Sequence, residues 1–343
     1  MEKFDVIIIG TGPAGLNCAY HLINSGLKVL VLEKNKTIGP KVCAGGFTQK
    51  TLDYLRFPSE QLDFSYDTIY FNTPHIHTKI KFQRNFAYTI DRKNLGQWML
   101  SRLEQNNNIT LRTETLVTAI NKEYVTTNRN YCIKYKWLVG SDGSNSSVRK
   151  FLGLKNSITG MAMQYLVCSE KYRNFEIYYD SKLFKAWYAW IFPHKDYVSI
   201  GCGSDPKVLS TIECKRNFHI WLKNNKINTT GARFEVFPIN YDYKGHVFGN
   251  IFLTGDAAGL ASGFTGEGIY QALISGQEAA RQIISGVADI SLEMAGTIKY
   301  NRRHRQILNI LIKTGHWRGL LLDIIALSLK IKSIARRVLD IVA

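Results

Sequence analysis

A chain of 343 residues with 45% hydrophobic and 12% aromatic residues can bury a large core and divides into two or three structural units. Its formal charge of +17 suits anionic partners, and residues 291–343 hold ten Lys or Arg against three acids. No apolar run reaches the roughly 18 residues needed to span a bilayer. The hydrophobic N-terminal run reads as a strand rather than a signal peptide. No aromatic-interleaved basic motif points to nucleic acid. Six cysteines (18, 43, 132, 168, 202 and 214) are dispersed without a Cys-x-x-Cys pair, which argues for a reducing compartment and against disulfides or a metal site. The expectation is a cytoplasmic protein, at most peripheral on the inner face of a membrane, with no nucleic-acid partner.

Phe4 to Ile9 form an unbroken apolar run ended by glycine, the pattern of a buried parallel strand. The next residues are Gly10-Thr-Gly12-Pro13-Ala14-Gly15. Gly10 permits a tight turn, and Gly12 lets the backbone approach a pyrophosphate. Gly15 allows close packing of a helix whose N-terminal amides attract an anion, with Pro13 and Ala14 in its first turn. Ala19 keeps that helix small toward the strand, Gly26 ends it, and Lys28 to Leu32 make the second strand. Glu33, with Lys34 beside it, stands at the strand's tip, where a carboxylate can accept both ribose hydroxyls and would repel a 2′-phosphate. These residues specify a dinucleotide with a free ribose, either FAD or NAD.

Lys41-Val-Cys43-Ala44-Gly45-Gly46 then crosses away from the second strand. Asp67 to Phe82 alternates like a strand, and Arg92 lies in Tyr88-Thr-Ile-Asp-Arg92-Lys-Asn-Leu95 at a helix start. Tyr131 to Val139 reads as a strand returning to the first sheet. It leads into Trp137-Leu-Val-Gly140-Ser-Asp142-Gly143. Residues 161–203 alternate again and contain Tyr188-Ala-Trp190-Ile-Phe192-Pro193, whose three aromatic rings share one strand face. Residues 210–228 read as a helix. Ile251-Phe-Leu-Thr-Gly255-Asp256-Ala-Ala-Gly259 repeats the pattern of an apolar strand ending in a glycine-flanked aspartate. It is followed by Gly263-Phe-Thr-Gly266-Glu267-Gly268 at another helix start. Asp256 can hydrogen-bond a ribityl hydroxyl, and the amides of Thr265 to Gly268 can stabilise negative charge on a reduced flavin.

The tail, 291–343, reads as helical throughout. Leu320, Ile324, Leu327, Ile331, Ile334, Val338 and Ile341 repeat at four-and-three spacing on one stripe, and Lys330, Lys332, Arg336 and Arg337 fall mostly away from it. Such a stripe suits a helix packed on its own domain, an interfacial helix on anionic lipid, or a coiled-coil seam.

The fingerprint and the two Gly-Asp segments, in this order, resemble the flavoprotein hydroxylase superfamily. That resemblance implies FAD, with Arg92 along its pyrophosphate and Asp142, Gly255, Asp256, Gly266, Glu267 and Gly268 around it. The cysteine turn and the Tyr-x-Trp-x-Phe-Pro hexapeptide further resemble the geranylgeranyl reductase family over nearly the whole of residues 1–290. The implied fold is α/β, with a discontinuous Rossmann-like FAD-binding domain (1–62, 86–150 and 245–290). A second, largely antiparallel β-sheet substrate domain (63–85 and 151–244) and a basic helical C-terminal region (291–343) complete it.

The implied activity is FAD-dependent reduction of carbon–carbon double bonds in a prenyl lipid, by hydride transfer from flavin N5. Tyr188, Trp190 and Phe192 would line the lipid pocket. Cys43, with Ala44 and Gly45, would contact the flavin, the thiol being a candidate acid. Ala44 departs from the family's glycine directly after cysteine. His194 and Lys195 face either a lipid phosphate or solvent. A second Gly-x-Gly-x-x-Gly is missing, so electrons come from a transiently bound NAD(P)H or a ferredoxin. Competing readings are a flavin monooxygenase of a small aromatic, a flavin halogenase and a non-catalytic flavin- or lipid-binding protein.

Overall fold

The computed structural model describes residues 1–103, 106–155, 159–331 and 333–335. Glu2–Ile9 pairs in parallel with Val29–Leu32 on one side and Cys132–Gly140 on the other. Ile109–Arg112 and Ile251–Leu253 extend the parallel order outward. Val6, Ile7 and Ile8 are completely buried, as a parallel strand covered on both faces requires. Val117–Ile120 and Tyr124–Thr127 add an antiparallel ribbon to Cys132–Gly140.

Helices Pro13–His21 and Ile269–Ser285 pack against each other over this sheet. Their approach depends on Gly276, where a Cβ would fall 2.2 Å from the Ala14 carbonyl oxygen. The first helix ends at His21, before the expected stop at Gly26. Asn108 Nδ2 donates to the carbonyls of Leu22 and Leu27, and Ser25 Oγ donates to Leu22, which draws the chain into a turn that Gly26 closes at φ +72°.

A second, seven-stranded sheet runs Arg233–Asn240, Thr159–Val167, Val198–Ser204, Ala189–Pro193, Phe175–Tyr178, Thr68–Asn72, His77–Lys81. All its pairs are antiparallel except Phe175–Tyr178 with Thr68–Asn72. Helix Thr211–Asn224 starts at a Ser210/Glu213 capping box and covers one face with Phe218, Trp221 and Leu222. The other face looks toward the first sheet. Gly46–Thr48, Ala87–Thr89 and Phe64–Tyr66 form a separate three-stranded antiparallel sheet.

Among the described residues the tail holds helices Leu292–Lys313 and Arg318–Ser328, joined by a 3-10 turn at Gly315–Trp317, with a further helical stretch over 333–335. Gly315 turns at φ +53°, and the buried Arg318 guanidinium donates to the carbonyls of Leu311 and Ile312, ending the first helix. Met294, Asn301, His304, Leu308 and Leu311 bury the first helix against the molecule. In the second, Leu322, Ala326 and Leu329 are buried, whereas Leu320, Ile324, Leu327 and Ile331 are exposed. The stripe picked out in the sequence is therefore the outer face. Its continuation at Val338 and Ile341, with Lys332, Arg336 and Arg337, lies outside the described residues. No described helix is long and apolar enough to cross a membrane.

Candidate active site

One cavity of about 470 Å³ runs between the two sheets. At one end are Gly12, Pro13 and Ala14, the 41–48 segment, Arg92, and the chain from Thr254 to Ile269. At the other are the aromatic face of the second sheet and Leu311, Leu322, Ile325 and Leu329 of the tail.

The turn at 10–15 is built by close approach. A Cβ at Gly10, which sits at φ +101°, would lie 2.5 Å from the Ser141 carbonyl oxygen, and one at Gly15 would lie 2.0 Å from that of Gly10. A Cβ at Gly12 would meet nothing within 4 Å, so its backbone borders open space at the N-terminus of helix Pro13–His21. Across the same cavity Arg92 is buried, not a solvated helix-start cation, and its Nε has no partner among the described residues. An open glycine backbone and an arginine whose Nε lacks a partner among the described residues, both lining one cavity, fit the diphosphate of a dinucleotide.

Glu33 is buried: Oε2 accepts from Thr11 N at 3.0 Å and Thr11 Oγ1 at 2.6 Å, and Oε1 accepts from Asn35 N at 2.9 Å. The first turn thus fixes the Glu33 carboxylate, which is not among the residues lining the cavity. Lys34 is exposed. Asp142 Oδ2 accepts from Ser147 N and Oγ, both at 2.7 Å, and anchors helix Ser147–Phe151, while Oδ1 is buried without a partner among the described residues. Its neighbours Ser141 and Gly143 line the cavity, and Asp142 stands behind them.

Gly255 turns at φ +52° after strand Ile251–Leu253 and presents Asp256 to the cavity. Asp256 Oδ2 accepts from Lys41 Nζ at 3.1 Å and Ser144 Oγ at 3.2 Å. The loop to Gly268 folds around Ser262, whose N–H donates to the Glu267 carbonyl at 2.7 Å and whose Oγ accepts from Thr265 N at 2.9 Å. Gly266 there adopts φ +70°. Gly268 is the N-cap of helix Ile269–Ser285. Glu267 is half-buried, and Tyr300 of the first tail helix donates to its Oε2 at 3.0 Å. Desolvation pushes the Glu267 carboxyl up to about 7, against the opposing effect of the Tyr300 bond.

Cys43 is half-buried in the cavity wall, and Gly45 N donates to its Sγ at 3.4 Å. The turn is clamped from the second sheet: His194 Nδ1 meets Asp63 Oδ2 at 2.6 Å and Nε2 meets the Ala44 carbonyl at 2.9 Å. Gly45, at φ +73°, admits this ring, since a Cβ would sit 2.4 Å from His194 Cε1. His194 is therefore a buried clamp, neither solvent-exposed nor free for a lipid phosphate, while Lys195 is exposed.

Tyr188, Trp190 and Phe192 all line the cavity, and Ala189 and Ile191 point to the opposite core. Their rings continue an aromatic row, Tyr179–Tyr188 at 5.3 Å, Tyr188–Trp190 and Trp190–Phe192 at 6.2 Å, and Phe192 stacked on Phe175 at 3.9 Å. Trp190 lies over Gly201, where a Cβ would be 2.3 Å from its Cζ2, and donates Nε1–H to Ser199 Oγ at 2.9 Å. The Tyr188 hydroxyl donates to the Thr265 carbonyl, tying the second sheet to the 262–268 loop. The residues missed in the sequence, Asp63, Tyr300 and the tail leucines, lie far along the chain from their partners and carry no local pattern.

The family described as FAD binding domain matches residues 3–284. A geranylgeranyl diphosphate reductase of Rhodobacter capsulatus is 26% identical over 322 residues, covering 87% of this chain and 80% of its own. A digeranylgeranylglycerophospholipid reductase of Methanococcus vannielii is 27% identical over 308 residues, covering 83% and 78%. The crystal structure of a geranylgeranyl bacteriochlorophyll reductase-like protein from Thermoplasma acidophilum superposes with a TM-score of 0.81 at 19% identity, covering 98% of this chain and 96% of that one, which shows the shared fold.

Proposed function

The chain belongs to the FAD binding domain family and is an FAD-dependent oxidoreductase, and from that premise we propose that it reduces carbon–carbon double bonds of a geranylgeranyl-type prenyl lipid. The observation that carries the reading is the continuous cavity, a dinucleotide cradle at one end and an aromatic and aliphatic pouch at the other.

FAD supplies the hydride when bound, held by the 10–15 turn, Glu33, Arg92 and the 254–268 chain. The apolar walls do the rest of the positioning. Tyr188, Trp190 and Phe192 hold an extended chain against the second sheet and offer π faces beside a carbon that develops positive charge. Closing out water strengthens that attraction. One proton must accompany each hydride, and the Cys43 thiol and the Glu267 carboxyl both reach the cavity. Glu267 suits the task because burial keeps its proton near neutral pH.

The electron donor in this proposal is NAD(P)H or a ferredoxin, admitted from the basic surface. The test is anaerobic: reduce the flavin in the purified protein, add geranylgeranyl lipids, and record flavin absorbance. Reoxidation in proportion to added lipid supports the reading, and a flavin that stays reduced until air is admitted overturns it.

A further inference from the structure

Helix Arg318–Ser328 has two apolar faces with different neighbours. Leu322, Ile325 and Leu329 wall the cavity. On the opposite side Leu320, Ile324, Leu327 and Ile331 are 54%, 53%, 48% and 55% exposed, and Trp317, just before the helix, is 74% exposed. The spacing 317, 320, 324, 327, 331 makes one stripe along the helix and the turns that flank it. Soluble monomers rarely leave such a contiguous apolar row in water.

The charges beside the stripe are mainly cationic, and Asp180 of the neighbouring segment is engaged with the Lys182 and Leu183 amides. Lys313 precedes it and Lys330 follows it, both exposed. The segment holding Lys182 and Lys185 abuts the helix start, because a Cβ at Gly319 would sit 3.0 Å from Ser181 Oγ. The helix's single acid, Asp323, is turned inward to Thr73 Oγ1. An apolar row with a tryptophan at one end and lysines at its margins complements an anionic bilayer. The helix is pinned to the protein, since Thr78 Oγ1 donates to the Ala326 carbonyl at 2.7 Å and Leu329 packs on Ile80.

We propose that this helix is the port through which lipid substrate leaves the membrane: its outer stripe lies in the headgroup region of an anionic bilayer while its inner face forms the cavity wall. A prenyl chain then passes around one apolar helix from lipid to the aromatic pouch without crossing water. The proposal rests on the prenyl-lipid reading for its cargo, but the docking surface can be tested apart from it.

The experiment uses FAD-loaded protein and the triple variant Leu320→Ser, Ile324→Ser, Leu327→Ser, none of whose positions lines the cavity. Flotation is measured with phosphatidylcholine vesicles with and without about 30% phosphatidylglycerol. The wild type should float only with the anionic vesicles, and the triple variant should bind about tenfold or more weakly. Its turnover of a vesicle-embedded prenyl lipid should fall by a similar factor, while FAD content and turnover of a short water-soluble prenyl substrate stay unchanged. Wild-type protein that ignores anionic vesicles, a variant that binds like wild type, or a dimer that the variant abolishes would each overturn the port. Vesicle binding without turnover of either substrate would sustain the docking surface and overturn the reductase reading instead.

Discussion

Arg92 offers a sharp test of the cofactor site, because the fold leaves its guanidinium short of partners. The side chain is buried, its Nε has no partner among the described residues, and its neighbour Asp91 is engaged with Lys93 N, Asn94 N and the Tyr197 hydroxyl. A buried, unsatisfied polar group costs about 1–3 kcal/mol, and a hydrogen bond to a charged group contributes about 1.5–3 kcal/mol. Arg92→Met keeps the volume and removes both effects. Apoprotein should hold its stability or gain up to about 1–3 kcal/mol. FAD affinity should fall about tenfold to 150-fold, since each 1.4 kcal/mol is a factor of ten. Titrating apoprotein with FAD by flavin fluorescence, beside thermal melts of apo- and holoprotein, reads both quantities. Unchanged FAD affinity would refute the assignment, and a large loss of apoprotein stability would make Arg92 a structural residue.

Three further predictions concern the groups around the cavity. Glu267, at about 7 against the usual 4.5, binds its proton more tightly folded than unfolded, so apoprotein stability should fall by at most about 3 kcal/mol as pH rises from 4.5 through 7. Glu267→Gln should flatten that slope in pH-dependent melts, and an unchanged slope would remove Glu267 as its source. Breaking the buried clamp with His194→Ala should cost about 3–5 kcal/mol and raise the rate at which a thiol reagent labels Cys43. Slower labelling would show that His194 does not hold the turn. Gly201→Ala forces a Cβ into the Trp190 ring and should cost about 1–3 kcal/mol in urea melts while raising KM for a prenyl substrate. An unchanged KM would take Trp190 out of the pocket wall.

Much of this site is readable in the sequence where chemistry is local. The glycines at 10, 12 and 15 have distinct backbone tasks within one turn, and strand alternation alone places Tyr188, Trp190 and Phe192 on a common face. What escapes is tertiary. Asp63 meets His194 across 131 positions, so neither residue has a neighbour that betrays the pair. Arg318 looks like a surface cation until it is seen capping the preceding helix. The tail helix shows how periodicity can pick a real stripe and leave its environment open. Leu320, Ile324 and Leu327 repeat as regularly as Leu322, Ala326 and Leu329, and only packing decides which row faces the core.

In the proposed reaction, electrons from the flavin enter a prenyl double bond and oxygen does not. The most direct measurement is the product mass after a geranylgeranyl lipid is incubated with flavin-reduced protein under ¹⁸O-labelled oxygen. Reduction gives gains of about 2 Da per bond, one hydride and one proton, with no label incorporated. A product carrying one heavy oxygen would contradict it and make the protein a monooxygenase on the same fold.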